Sequence, residues 1–356
     1  MRPAGVVSAV NTALPANLRD VSFFLVWGPE SHGPRSRVFA RELGIDAVFV
    51  VSTLRRGLLT APFKYASQAV KTVRLLLRRR PRLVFVQSPP TFAALLVAMW
   101  GSVTGTRLVI DAHSAAMLSP VWTRPRWLHR GLSRIALATV VTDEHFARRV
   151  EASGGRALVI RDIPTVFPTG VDVGLVDAFN VMVVNTFAPD EPLAEILAAA
   201  RDLPGVRFHV TGDVGRARNI PSDLPDNVRF TGYLPDADYY GLMHASQVVM
   251  CLTTRNHTMQ RGACEALSAG TPIVTSDWPL LRRYFDRGTV HVRPNAAAIS
   301  GGVEEMRRHH ARFASEIEEL QIEQRNQWQA AVASLTDLID GAVRAPNLSS
   351  EGRRGR

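Results

Sequence analysis

Val248–Asp277 reads VVMCLTTRNHTMQRGACEALSAGTPIVTSD, and this stretch decides the fold. The apolar run Val248–Leu252 has the length and β-branched character of a buried strand. A polar, glycine-poor loop follows at Thr253–His257. The pattern then predicts a helix opening near Thr258, with Glu265 one to two turns in and Gly270 at its end. Another strand, Pro272–Ser276, begins at once. Strand, loop, helix and strand in this order form a βαβ unit with a right-handed crossover and a parallel sheet. Such sheets bind ligands beyond the carboxyl ends of their strands, where free N–H groups at helix N-termini attract phosphate. An acid deeper in the helix suits a ribose better than a phosphate. The stretch predicts half of a nucleotide-diphosphate site.

Strand candidates recur on both sides of this unit. Before it stand Val21–Trp27, Ala47–Ser52, Leu83–Gln87, Arg107–Asp111, Leu137–Thr142 and Ala157–Arg161, then Val181–Val184, Val206–Thr211 and Val228–Thr231. Thr289–Val292 follows it. Helical patterns fall between the early strands at Ser36–Leu43, Lys64–Arg80, Thr91–Ser102, Arg126–Ala136 and Glu144–Ala152. Alternation at this pitch predicts an α/β chain of doubly wound, Rossmann-like domains. Asp162–Phe179, with Pro164, Pro168 and Gly170, has no periodicity and reads as an interdomain linker. The expected organisation is a flexible leader at 1–20, domains at 21–165 and 180–302 with a linker at 166–179, terminal helices at 303–343 and a disordered tail at 344–356. In Lys64–Arg80 the stripe Ala66, Val70, Val73 and Leu77 is expected to face the sheet, with Lys71, Arg74 and Arg78 opposite.

A chain of 356 residues is long enough for two domains, and its 46% hydrophobic and 21% charged residues exclude a disordered protein. The two cysteines, Cys251 and Cys264, lie in or beside apolar elements, so a reducing cytosol is expected rather than a disulfide framework. No signal peptide is expected, and the most apolar run, Phe92–Trp100, is far short of the ~20 residues that span a bilayer. The net charge of +10 is unevenly spread: residues 1–168 hold 23 basic against 9 acidic residues, the remainder 19 against 23. Codon bias accounts for a preference for arginine but not for its place. A basic first half suggests an anionic partner, either a membrane surface or a phosphate-bearing acceptor. The arginines are not interleaved with aromatics, so nucleic acid is not expected.

Two α/β domains with a nucleotide site in the second resemble the GT-B glycosyltransferases, whose domains face a cleft. Glu265 with AlaLeuSerAlaGlyThrPro (266–272) is similar to the second half of the E-x7-E donor motif of the retaining nucleotide-sugar transferases; His257 occupies the first Glu position. The resemblance implies Glu265 on the donor ribose and the amides of Thr258, Met259 and Gln260 on the diphosphate. A second resemblance covers about two-thirds of the chain. LVFVQSPP (83–90), LVIDAHS (108–114), NTFAPDEPLAEIL (185–197) and TGYLPDADYYGLM (231–243) look like the β-mannosyltransferase that extends chitobiosyl-diphospho-dolichol. That family is inverting, so the two resemblances imply opposite stereochemistry. Both make the first domain the acceptor side and the second the nucleotide-sugar side.

His113 follows a strand end and so points to a site: it contacts the transferred sugar, acts as general base, or is a loop imidazole capping the next helix. Asp111 orients it, is itself the base, or caps a turn. His257 donates to a sugar hydroxyl or a phosphate, or is a plain loop histidine. The basic pair that usually follows the first strand of the second domain is replaced by ProAspGluPro (189–192). Arg255 and Arg261 are the substitutes for neutralising the leaving diphosphate, or are solvated. Tyr233 abuts the base or packs under its loop. Gly33, in SerHisGlyProArgSer (31–36), meets acceptor or phosphate, or is a turn glycine. With no D-x-D-like pair at a strand end and no zinc spacing, no metal or other cofactor is expected.

The leading reading is a glycosyltransferase that is cytoplasmic or peripheral on the inner face of the plasma membrane. It would use a nucleoside-diphosphate sugar and a lipid-linked or surface-polysaccharide precursor. The alternatives are a GT-B nucleotide-sugar epimerase and a degenerate, non-catalytic binding subunit.

Overall fold

The computed structural model describes residues 13–30, 34–53, 60–161, 170–217, 220 and 223–344. The chain divides into two units, Met1–Ile163 with Gln327–Arg356, and Pro164–Asn326.

Unit 1 holds β1 (Ser22–Val26), β2 (Asp46–Phe49), β3 (Leu83–Ser88), β4 (Arg107–Ala112), β5 (Ala138–Val141) and β6 (Ala157–Val159). They form one sheet, ordered β2-β1-β3-β4-β5-β6, with every neighbouring pair parallel. β1 and β3 are buried at every position, which is why both read as unbroken apolar runs rather than alternating ones. Alternate residues serve opposite faces. Leu25, Val86 and Ile110 join a core with Val97 and Phe146 from the helices Thr91–Thr104 and Glu144–Glu151. Phe24, Phe85 and Val109 join another with Phe39 of the helix Pro34–Leu43 and with Val332 and Leu335 near the C-terminus.

Unit 2 holds β7 (Phe179–Val183), β8 (Val206–Thr211), β9 (Val228–Gly232), β10 (Val248–Cys251), β11 (Ile273–Ser276) and β12 (Thr289–Val292). Its sheet runs β12-β11-β10-β7-β8-β9 and is again parallel throughout. The winding reverses between β7 and β10, so the loops that leave these two strands diverge and open a crevice. In unit 1 the reversal falls between β1 and β3.

All twelve expected strands are present, and the structure corrects four other expectations. Residues 13–20 are not a flexible leader: Leu14 and Leu18 are buried in the unit 1 core, and the Leu14 N–H donates to the Leu43 carbonyl. The helix Ala61–Arg79 turns Gln68, Thr72 and Leu76 inward, while the expected inner stripe has Val70 and Leu77 more than half exposed. Gln68 and Thr72 bury because each has a partner, the Val50 carbonyl and the Trp27 indole N–H, respectively. The terminal helices are Ala296–Arg308, which packs into unit 2, and His310–Arg344. The second of these gives Ile317 and Leu320 to the core of unit 2 and Val332 and Leu335 to that of unit 1. Finally, the helix after β10 opens at Arg261, not Thr258. The first part of the expected linker, 162–169, and the tail 345–356 lie outside the described residues.

Candidate functional site

In unit 2 the site is built where β7 and β10 diverge. The loop after β10 is pinned before it reaches its helix. The Thr253 N–H donates to Ser276 Oγ at 2.8 Å, and the Trp278 indole donates to the Thr253 carbonyl at 3.0 Å. Thr253 Oγ1 donates to Asp190 Oδ2 at 2.8 Å, and the Thr254 N–H to the Asp190 carbonyl at 2.8 Å. Arg255 lies 3.6 Å from the other Asp190 oxygen and is itself exposed. Glu191 receives the N–H groups of Thr186 and Ala188 and the Thr186 hydroxyl. The acids of 189–192 therefore tie the β7 loop to itself and to the β10 loop. A sequence reading that saw them only as a missing basic pair overlooked this role.

Thr258, Met259 and Gln260 precede the helix Arg261–Ala269, and their N–H groups make no hydrogen bond among the described residues. Gly262 brings that helix close to the sheet: a Cβ there would stand 2.7 Å from both Cys251 Sγ and Val184 Cγ1. His257 has φ +56°, in the left-handed region that costs a non-glycine residue about 1 kcal/mol or more, and its N–H donates to Asn256 Oδ1. Glu265 stands in the second turn with a side chain 13% exposed. One of its oxygens accepts from Arg261 Nε at 2.7 Å and the other from the Tyr239 hydroxyl at 2.8 Å. Burial, then the Glu265 charge, pushes the Tyr239 phenol well above its ordinary range. The same two causes push Tyr240 up to about 12. Both tyrosines thus remain neutral donors over the physiological range, and Tyr239 holds the carboxylate in place. Only the fold could reveal that partnership, since 26 residues separate the two.

Tyr233 follows β9 on the sheet edge and is 80% exposed, with β8 and β7 between its strand and β10. It is not packed under a loop. Arg261 is half-exposed and already paired with Glu265.

In unit 1, Asp111 is the penultimate residue of β4, on the face opposite Ile110, and is 1% exposed. Its carboxylate lies 3.1 Å from His113 Nε2 and 3.4 Å from Arg35. Arg35 is also buried and donates to the Ile160 and Arg161 carbonyls. Burial alone would raise the Asp111 pKa; the Arg35 and His113 charges, with their hydrogen bonds, outweigh it and hold the carboxyl below its usual value. An acid so held is a poor proton acceptor, so the geometry suits the orienting role. His113 occupies the N-cap position of the helix Ser114–Leu118, but its imidazole caps nothing. Its ring is turned to Asp111 and is a quarter exposed. Gly33 lies outside the described residues. Arg35, in the first turn of the helix Pro34–Leu43, carries no sequence signal that separates it from the other arginines, although it lies two residues after Gly33.

Residues 191–334 match the glycosyl transferase-like family, a span that takes in most of unit 2. Among solved structures, sucrose-phosphate synthase from Thermosynechococcus elongatus superposes with a TM-score of 0.68 at 16% identity, covering 90% of this chain and 98% of that one. HepE from Anabaena, in complex with UDP and glucose, gives 0.64 at 15%, covering 91% and 99%. The fold is GT-B. This GT-B architecture is also shared with a protein described as a UDP-N-acetylglucosamine 2-epimerase from Listeria monocytogenes, at a TM-score of 0.58 and 10% identity over 83% of this chain and 91% of that one. No match was found among curated protein sequences. The family match and the GT-B fold together support a transferase enzyme.

Proposed function

We propose that this chain is a glycosyltransferase that takes a sugar from a nucleoside-diphosphate donor and passes it to a lipid-linked or cell-surface glycan precursor. The carrying observation is the geometry of this loop and helix: Glu265 held at both oxygens beyond three N–H groups that make no hydrogen bond among the described residues, at the point where the unit 2 sheet reverses. The amides of Thr258, Met259 and Gln260 bind the diphosphate, and Glu265 accepts from the ribose by exchanging one of its present partners. The UDP-bound HepE structure supports a uridine donor. Arg255 and Arg261 neutralise the departing diphosphate, without a metal ion. His113 contacts the sugar or takes the acceptor proton: with Nε2–H donated to Asp111, its Nδ1 carries the free lone pair. His257, at the first position of the donor motif, donates to the sugar or the phosphate.

The acceptor reading rests on the surface of unit 1. The outer face of Ala61–Arg79 presents Phe63, Val70 and Leu77 beside exposed Lys71, Arg74 and Arg78. No helix among the described residues is long and apolar enough to cross a membrane. A mixed apolar and basic helix face suits peripheral binding to anionic lipid on the cytoplasmic side.

A panel of UDP-, GDP- and TDP-sugars tests the reading, with sugar transfer or slow donor hydrolysis as the expected outcome and activity surviving EDTA. Epimerised donor without transfer would replace it with the epimerase. No nucleotide binding at all would leave the non-catalytic subunit.

A further inference from the structure

Unit 1 contains a cavity of about 430 Å³ that the proposed transfer does not use. It lies on the sheet face opposite Asp111, under the helix Arg126–Ile135, and is of a size that small-ligand sites occupy. Its lining is mixed: Ala94, Ile110, Leu132 and Val150 form an apolar wall, and Thr91, His129, Arg149 and Ser153 add polar groups around it. Its rim is basic: Arg126 and Arg130, one helical turn apart, are exposed and make no hydrogen bond or ion pair among the described residues. On the inner wall stands Thr139 of β5, 3% exposed, whose hydroxyl has no hydrogen-bond partner among the described residues.

A buried hydroxyl without a partner is costly, and valine would fill the same volume on the same strand at no such cost. At Thr139 the cavity is the side from which a partner can reach the hydroxyl. Two unpaired guanidinium groups above an apolar wall select a ligand with a phosphate at one end and a short hydrocarbon at the other. We propose that this cavity is a second binding site, for an amphiphilic phosphoester, with the phosphate on Arg126 and Arg130 and an ester or hydroxyl oxygen on Thr139. The floor of the cavity includes Ser88 and Ala116, and Ser88 accepts the His113 N–H, so an occupant would touch the loop that carries His113.

Calorimetry on the full chain with hexyl phosphate, inorganic phosphate and hexanol tests this. Hexyl phosphate should bind at least about 10-fold tighter than either half-molecule, since both ends are recognised. Arg126→Gln and Arg130→Gln should each weaken it about 10-fold. Thr139→Val should weaken it about 3- to 10-fold while raising the melting temperature, a combination that a purely structural threonine would not give. UDP affinity should be unchanged in all three variants. Competition by phosphatidylglycerol vesicles would assign a lipid phosphate, and its absence a soluble phosphoester; either supports the site. The proposal is overturned if hexyl phosphate does not bind, if the arginine variants bind it as well as the parent, or if UDP displaces it.

Discussion

Asp111 and Glu265 are two carboxylates with different surroundings and different expected behaviour. Asp111 is buried against Arg35, and removing one partner of such a pair leaves the other charge uncompensated. Arg35→Met is therefore expected to cost about 3–5 kcal/mol in chemical denaturation, far more than an exposed arginine would. The pH dependence has a definite sign. The folded-state pKa of Asp111 lies below the unfolded value of about 3.9, so its stabilisation is complete above that value and is lost as pH falls through the folded value. The stability gap between the parent and Asp111→Asn should narrow on acidification below about pH 4; a gap constant from pH 7 to 3 would refute the assignment. Glu265 is instead the residue proposed to serve a ligand. A hydrogen bond from ribose to a carboxylate is worth about 1.5–3 kcal/mol, so Glu265→Ala should weaken UDP binding about 10-fold or more by calorimetry. Unchanged affinity in a folded variant would move the donor site elsewhere.

At the scale of elements, the helix Arg261–Ala269 follows the three amides proposed to bind the diphosphate, and Gly262 lets that helix lie close to Cys251 of β10 and to Val184 after β7. The nearest atoms to an added Cβ there are the Sγ of buried Cys251 and the Cγ1 and Cβ of partly buried Val184, all closer than 3.0 Å, so the helix or these neighbours must shift. Gly262→Ala should cost about 1–3 kcal/mol in thermal or denaturant melts, the usual penalty of overpacking, and should also weaken UDP binding because the amides move with the helix. Normal UDP affinity at reduced stability would show that the amides do not hold the phosphate. The helix Ala61–Arg79 illustrates a different constraint. Its inward face is set by two hydrogen-bonded polar residues, Gln68 and Thr72, and this rotation leaves an apolar stripe outside.

At the scale of the molecule, basic charge is concentrated in the first half of the chain, and the outward apolar stripe lies beside part of it. Each basic residue near an anionic surface contributes about 1 kcal/mol, and salt screens that term while leaving the apolar one. The chain should cosediment with phosphatidylglycerol liposomes at low salt and be released in part at high salt. Lys71/Arg74/Arg78→Gln should abolish the salt-sensitive fraction, and Val70/Leu77→Ser the remainder. Binding indifferent to lipid charge would remove the electrostatic mechanism, and no binding would point to a soluble acceptor.

The sequence by itself determined the twelve strands, their parallel arrangement and the approximate place of the loop between β10 and its helix. These follow from local periodicity and from runs buried on both faces, properties a chain carries along its length. Glu265, the residue proposed for the donor ribose, was singled out by its offset after a strand. Partnerships were decided only by the tertiary structure. Tyr239 meets Glu265, Asp190 meets Thr253, and Arg35 meets Asp111 across separations of 26, 63 and 76 residues. The inward face of Ala61–Arg79 was likewise misread, because hydrophobicity predicts burial only when polar side chains find no partner inside. The last helix completes two cores because neither stretch of it marks in advance which sheet it will cover. Local pattern specifies elements; which elements and charges meet depends on a packing that no single segment encodes.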